Sequence, residues 1–275
     1  MRSLINIYQI GHSASVIQDV SPRSIYPHKK FSEIKDYCLD EGITLIEYIQ
    51  KFEPQEAWDH LEHVGMTMYS VLMEGMHASR ELPSKYDIKR KSARFFQRYR
   101  QNDDEQDLLM AAVYAVSEAN AIGELVVSAP AYESCAILPG VLEYGEEICR
   151  FPHRQTIRSI AVAGLIGMLI ATNSPTPEKT PNYQKELCSA CAMTAAAWAY
   201  INGLDIQATE NATVRAINHY LNSIYNPKWK YTKEACMELN AVIASYIINA
   251  AKQTHKDDSA NLNLDKAIEK MSDIK

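Results

Sequence analysis

Two Ala-rich stretches that are apolar on every side, Thr156 to Ala171 and Glu186 to Tyr200, most restrict what this chain can fold into. A helix with one apolar stripe lies on a surface, whereas a helix that is apolar all round must be enclosed by others. The first stretch also carries Ala161, Ala163, Gly164 and Gly167, small residues that let neighbours approach closely. Leu108 to Ile122 and Glu234 to Gln253 have the same buried character. Around them run segments with a single stripe. Phe31, Ile34, Tyr37 and Cys38 share a face of a helix that Gly42 ends. Thr44 caps the next, with Leu45, Tyr48 and Ile49 on one side. Trp58, Leu61, Val64 and Met68 mark a long helix from Pro54 to Ser79. Thr209 to Leu221 and Leu264 to Met271 complete the set, and the three prolines between Asn173 and Asn182 make a loop. The best extended run is Leu125-Val126-Val127, and no alternating stretch is long enough for a sheet. The pattern predicts an all-α domain with buried central helices over residues 31–275, preceded by an irregular segment over 1–30 that Pro22 and Pro27 break.

Charge and cysteine usage narrow the setting. The net charge of −6 gives no pull toward nucleic acid or an anionic membrane. The most apolar run, Ile157 to Ala171, contains Arg158 and is too short to span a bilayer. The first ten residues lack a charged start and a long apolar run, so no signal peptide is expected. Six cysteines in such a chain read as reduced thiols in a cytoplasmic protein. The basic run from Leu82 to Tyr99, with Lys85, Lys89, Arg90, Lys91, Arg94 and Arg98, reads as a solvated helix face.

A series of short motifs then gives a likeness. Ser117-Glu118-Ala119-Asn120-Ala121, Val126-Val127-Ser128-Ala129-Pro130 and Leu138-Pro139-Gly140 stand in the order and spacing of "NEVNAAGGRVVTAPT…LPG". Leu82-Pro83 and Ile88 to Ala93 are similar to "LPGGLKVKRRA". Gln184, Glu186, Ser189, Ala190 and Ala192-Met193 are similar to "CQGEVGSASAMAAA", His219 and Leu221 to "EHNLGL", and Cys236, Glu238, Asn240 and Ala241 to "PCIERNA". Over residues 31–272 the chain resembles the α-subunit of iron-sulfur-dependent L-serine dehydratase. The resemblance implies a helical catalytic domain in which three cysteines hold a 4Fe-4S cluster with one open iron. That iron would act as a Lewis acid on the substrate hydroxyl during loss of water, and the enamine would hydrolyse to pyruvate and ammonia. It also implies a β-domain or separate β-subunit, for which this chain has no room, and assembly as a homodimer.

The chain departs from that pattern at the positions that matter most. The three cysteines fall on Tyr183, Tyr225 and Cys236. Cluster iron is held by thiolates, and a phenol is a harder ligand with a far higher pKa. No cofactor is therefore expected, a 4Fe-4S cluster included. The loop "APTNGAAG" becomes Ala129-Pro130-Ala131-Tyr132-Glu133-Ser134-Cys135-Ala136, with Glu133 on a glycine position, and the "LPGG" glycines become Ser84-Lys85. A relocated thiolate set of Cys188, Cys191 and Cys236 is the alternative to small core residues in an Ala-rich helix.

Three functional readings follow. In the first the chain is a repurposed lyase-like or acid-base enzyme on a small-molecule substrate, an amino or hydroxy acid or a biosynthetic intermediate. Its candidate catalytic residues are Tyr132, Glu133, Tyr183, His219 and Tyr225, and Ala129, Ser134, Cys236 and Lys85 are candidates for substrate binding. In the second it is a non-catalytic partner of a homologous subunit. In the third it is a conventional serine dehydratase, which the missing ligands oppose.

Overall fold

The computed structural model describes residues 1, 3–11, 25–83, 88–128, 132–175, 182–228, 232–252 and 262–274. The described residues form an all-α fold with one minimal sheet. Helices α1 (Phe31–Glu41) and α2 (Leu45–Phe52) follow from the stripes that the sequence shows. Gly42 ends α1 at φ +64, a left-handed conformation that costs glycine little, and Thr44 and Glu47 form a reciprocal cap on α2. Then come α3 (Gln55–Met76), α4 (Ser92–Asn102), α5 (Glu105–Ala121), α6 (Ile137–Glu147), α7 (His153–Asn173), α8 (Tyr183–Ile201), α9 (Ile206–His219), α10 (Lys233–Lys252) and α11 (Leu264–Lys270). A π-helical turn over Tyr220–Ile224 extends α9.

Three of the four helices that the sequence marks as buried are the central ones, whereas α10 turns one face to solvent, with Glu238, Val242 and Asn249 exposed. Most of α5, α7 and α8 is buried, and α7 packs on α8 while α5 is met by α3, α4, α6 and α10. Helix α7 is long and apolar enough to cross a bilayer, but 78% of its apolar window is buried inside the protein, which makes it a core helix. At Gly140 of α6 an added Cβ would stand 2.4 Å from Val113 of α5, so only glycine permits that crossing. The small residues of α7 allow the close helix approach expected of them at Gly167, where an added Cβ would stand 3.0 Å from Met193 of α8, but not at Gly164. A Cβ at Gly164 would meet Leu4 at 2.5 Å and Tyr8 at 2.9 Å, so this gap receives the N-terminal segment.

That segment is part of the core. Met1, Leu4, Ile7 and Tyr8 are buried, and the Tyr8 hydroxyl donates to Ile160 O at 2.6 Å. Glu53, at the end of α2, fixes its start by accepting from Ser3 Oγ (2.6 Å), Leu4 N (2.7 Å) and Tyr26 Oη (2.8 Å). Strand β1 (Gln9–Gly11) then pairs antiparallel with β2 (Val126–Ser128). The extended run at Val126 and Val127 is thus a strand. Its partner is a three-residue segment too short to show alternation. The basic run also differs from its expected form. Residues 88–91 are irregular and α4 starts only at Ser92, because a buried carboxylate on α5 caps it there.

Between α3, α6 and α7 lies a shallow groove lined by Tyr69, Leu142, Glu143, Glu146 and His153. Burial, and then the charges of Glu146 and Glu147, push Glu143 up to about 7. Because its folded pKa exceeds the ordinary carboxylate value, the folded protein holds this proton more tightly than the unfolded chain. Stability is therefore lost as pH rises from about 4.5 to about 7, and the full penalty stands above that. Glu143→Gln is expected to stabilise the protein by roughly 2 kcal/mol at pH 8 and to change nothing at pH 4, as read by denaturant titration at both values.

Candidate functional site

Four segments converge at one end of the central helices. They are the first turns of α8 and α10, the polar face of α5 near its end, and the turn at Tyr132–Ala136 that leads into α6. Asn182 caps α8 by accepting from Lys185 N at 3.1 Å, and its Nδ2 donates to Ile274 O. This orients Tyr183, Gln184 and Glu186. The Tyr183 hydroxyl lies against Cys236 of α10, donating to its carbonyl oxygen at 3.4 Å. Gln184 and Asn226 exchange two hydrogen bonds, Gln184 Nε2 to Asn226 O at 2.9 Å and Asn226 N to Gln184 Oε1 at 3.1 Å. The residue beside Tyr183 is thus tied to the residue beside Tyr225. Tyr183 and Cys236 are thus neighbours in space, and the Gln184–Asn226 pair brings the backbone next to Tyr225 up to α8.

The turn carrying Tyr132 and Glu133 is held from three helices. Glu186 Oε2 accepts from Tyr132 N at 3.0 Å and from Glu133 N at 3.3 Å. Asn120 Nδ2 donates to Tyr132 O at 3.1 Å, and Asn240 Nδ2 donates to Glu133 O at 2.9 Å. Ser117 and Asn120, three residues apart on α5, share the face toward α10, where Asn240 Nδ2 reaches Ser117 Oγ at 3.5 Å. Three polar atoms here are buried with no partner among the described residues: Asn120 Oδ1, Asn240 Oδ1 and Ser134 Oγ. A void of about 20 Å³, lined by Ser134, Cys135 and Val127 among others, lies beneath the turn. That space suffices for a single water.

The electrostatics are acidic and poorly solvated. Burial raises the Glu186 carboxyl, two backbone N–H groups pull it back, and the Glu133 charge raises it again. Burial pushes the Cys236 thiol up to about 11, against a hydrogen bond from Tyr183 and with added pressure from Glu133 and Glu186. The Tyr132 phenol is raised by burial and by the charges of Cys135 and Glu133. At neutral pH the thiol and this phenol are therefore proton donors rather than anions. Glu133 is the acid that bears on all of them.

Most sequence-expected residues meet here. Tyr132, Glu133, Ser134, Tyr183 and Cys236 belong to the converging segments, Tyr225 follows the π-helical turn and adjoins them through the Gln184–Asn226 pair, and Ala129 and Lys85 lie outside the described residues. His219 stands apart. Its ring stacks on Tyr246 with centroids 3.7 Å apart, and burial lowers its pKa. Tyr246 lies ten residues beyond Cys236 on α10, about 15 Å along the axis. Cys188 and Cys191 are buried within α8, and burial holds both thiols protonated. Among the described residues no three His, Cys, Asp or Glu side chains stand close enough to hold a metal. The positions that the resemblance equates with three thiolates present one thiol and two phenols, which is not a donor set for an iron-sulfur cluster. Sequence reasoning did not single out Asn120, Asn240 and Glu186 as parts of the site. The available signal was polar side chains on the buried faces of otherwise apolar helices.

Comparison with known proteins agrees with this architecture. The profile of the family described as "Serine dehydratase alpha chain" matches residues 12–275. An "L-serine dehydratase" of Haemophilus influenzae is 29% identical over 260 residues, covering 90% of this chain and 57% of that protein. "L-serine dehydratase 2" of Escherichia coli is 29% identical over 92% of this chain and 59% of its own length. The "L-serine dehydratase" of Streptomyces coelicolor is 27% identical over 96% and 60%. The chain thus spans less than two thirds of the length of these relatives. With its helical core, its ordered motifs and a profile match over nearly its whole length, the chain belongs to the serine dehydratase alpha chain family.

Proposed function

We propose that this chain is a cluster-free, serine-dehydratase-like lyase domain that works by proton transfer on a small amino or hydroxy acid. The observation that carries this reading is the replacement of two expected thiolates by Tyr183 and Tyr225 at positions that still converge, beside an acid, Glu133, where the family pattern has glycine. The names of the relatives point to removal of water from serine.

Such an elimination needs a base for the proton on the α-carbon, a donor for the departing hydroxyl and hydrogen bonds to charge building on the carboxylate. In this reading Glu133 takes the proton, and Tyr132, whose phenol stays protonated, and Tyr183 supply the others. The electron pair of the broken C–H bond forms the double bond as the C–O bond breaks, and a phenolic proton leaves with the hydroxyl as water. Cys236, with its thiol neutral, lies beside Tyr183. His219 has a packing role on Tyr246 in this reading. The protein is taken as a cytoplasmic homodimer with a small-molecule substrate.

Anaerobic purification should give a colourless protein without stoichiometric iron or labile sulfide. Pyruvate release from L-serine, and release of the matching 2-oxo acids from a panel of hydroxy amino acids, should fall about 100-fold or more in Glu133→Gln and in Tyr225→Phe. A brown protein with bound iron would sink the proposal. So would full turnover in both variants.

A further inference from the structure

The backbone of Tyr132 and Glu133 has no partner in regular secondary structure, yet each of its four polar groups is met by a side chain. Both N–H groups donate to Glu186 Oε2, the Tyr132 carbonyl accepts from Asn120 and the Glu133 carbonyl accepts from Asn240. The three side chains come from α5, α8 and α10, so the turn is pinned to three helices. We infer that Asn120, Asn240 and Glu186 are positioning residues, a clasp that sets the Glu133 carboxylate and the Tyr132 phenol over Cys236 and Tyr183. This rests on the functional reading above for what those side chains do, but the clasp is a property of the fold and can be tested without turnover.

A second observation ties the clasp to a ligand. Asn120 and Asn240 spend their NH2 groups on the turn and keep buried Oδ1 atoms with no partner among the described residues. Asn240 is fully buried and Asn120 is 6% exposed. A buried acceptor left empty is costly, and structures retain one chiefly where something else fills it. Two such acceptors flanking the residues that bear on the reaction mark where the N–H or O–H groups of a bound molecule would be received. Glu186 does something the amides cannot, because one oxygen holds two successive backbone N–H groups and so fixes the turn's direction as well as its distance.

The cysteines report on the clasp. Cys149 is exposed, whereas Cys38, Cys135, Cys188, Cys191 and Cys236 are buried, and only Cys135 and Cys236 lie under or beside the clasped turn. Iodoacetamide labelling of the full chain, read residue by residue by mass spectrometry, should modify Cys149 first in every variant. In Glu186→Ala, Cys135 labelling should rise about tenfold while Cys38, Cys188 and Cys191 stay protected, the mark of local opening. Glu186→Gln keeps an acceptor oxygen and should restore protection. Asn240→Ala should open the same thiols. Where turnover is measurable, all three alanine variants, Asn120→Ala included, should lower kcat more than they raise KM. Unchanged Cys135 labelling in Glu186→Ala would overturn the inference. So would an even rise across all five buried thiols, which would make these residues general core supports. Absence of turnover with the expected labelling would count against the lyase reading alone.

Discussion

Glu118→Ala is expected to cost about 3–5 kcal/mol of folding stability, a fall of roughly 10 °C in Tm for a chain of this size. The carboxylate is wholly buried and accepts from Lys91 N, from Ser92 N at 3.0 Å and from Ser92 Oγ at 2.6 Å, with the Arg90 guanidinium at 3.5 Å. Burial raises its pKa, and the hydrogen bonds from Ser92 and Lys91 and the charge of Arg90 work against that rise. Removing it strands the opening N–H groups of α4 in the interior, and each stranded donor costs about 1–3 kcal/mol. It also leaves the partly buried Arg90 without its ion-pair partner. Glu118→Gln keeps the shape and one acceptor, so its loss should be less than half as large. Thermal unfolding of both variants at neutral pH checks the order. Equal Tm values for alanine, glutamine and the parent would mean that α4 starts at Ser92 for another reason.

The same residue shows why part of the structure was legible and part was not. Helices α5, α7 and α8 can be read directly, because only enclosure explains a stretch apolar on every side. The start of α4 cannot. The local pattern favours a helix from Leu82, and the signal that moves it to Ser92 is a carboxylate 26 residues downstream. Strand β1 is three residues long and its pairing is non-local, so no periodicity could mark it. At the site, Tyr183, Tyr225, Cys236 and Glu133 stand out because they break an ordered motif, and the fold gathers the segments that bear them. His219 matched a motif as well, but its stack on Tyr246 depends on the register of α9 against α10, which sequence does not state. Asn120 and Asn240 had a readable signal, polarity on a buried face. Their task of holding a turn's carbonyls appears only once the turn is placed.

The double variant Tyr183→Cys/Tyr225→Cys is expected to bind about four irons per chain after anaerobic reconstitution with iron and sulfide. The argument is geometric. Tyr183 already touches Cys236, and the Gln184–Asn226 pair holds the backbones beside Tyr183 and Tyr225 together. The two hydrogen bonds of that pair run between the Gln184 side chain and the Asn226 backbone, so neither depends on a phenol. Three thiols would then face one space, and ligation would hold them as thiolates although burial alone keeps the Cys236 thiol neutral. A broad absorbance near 400 nm and iron analysis would read the gain, with each single variant as a control expected to hold little iron. The parent chain treated in parallel should stay colourless. If the double variant also takes up no iron, then the three positions do not share a space wide enough for a cluster, and the change in this lineage went beyond its ligands. If the parent chain takes up a full complement, phenols or other thiols serve as anchors and the cluster-free reading fails.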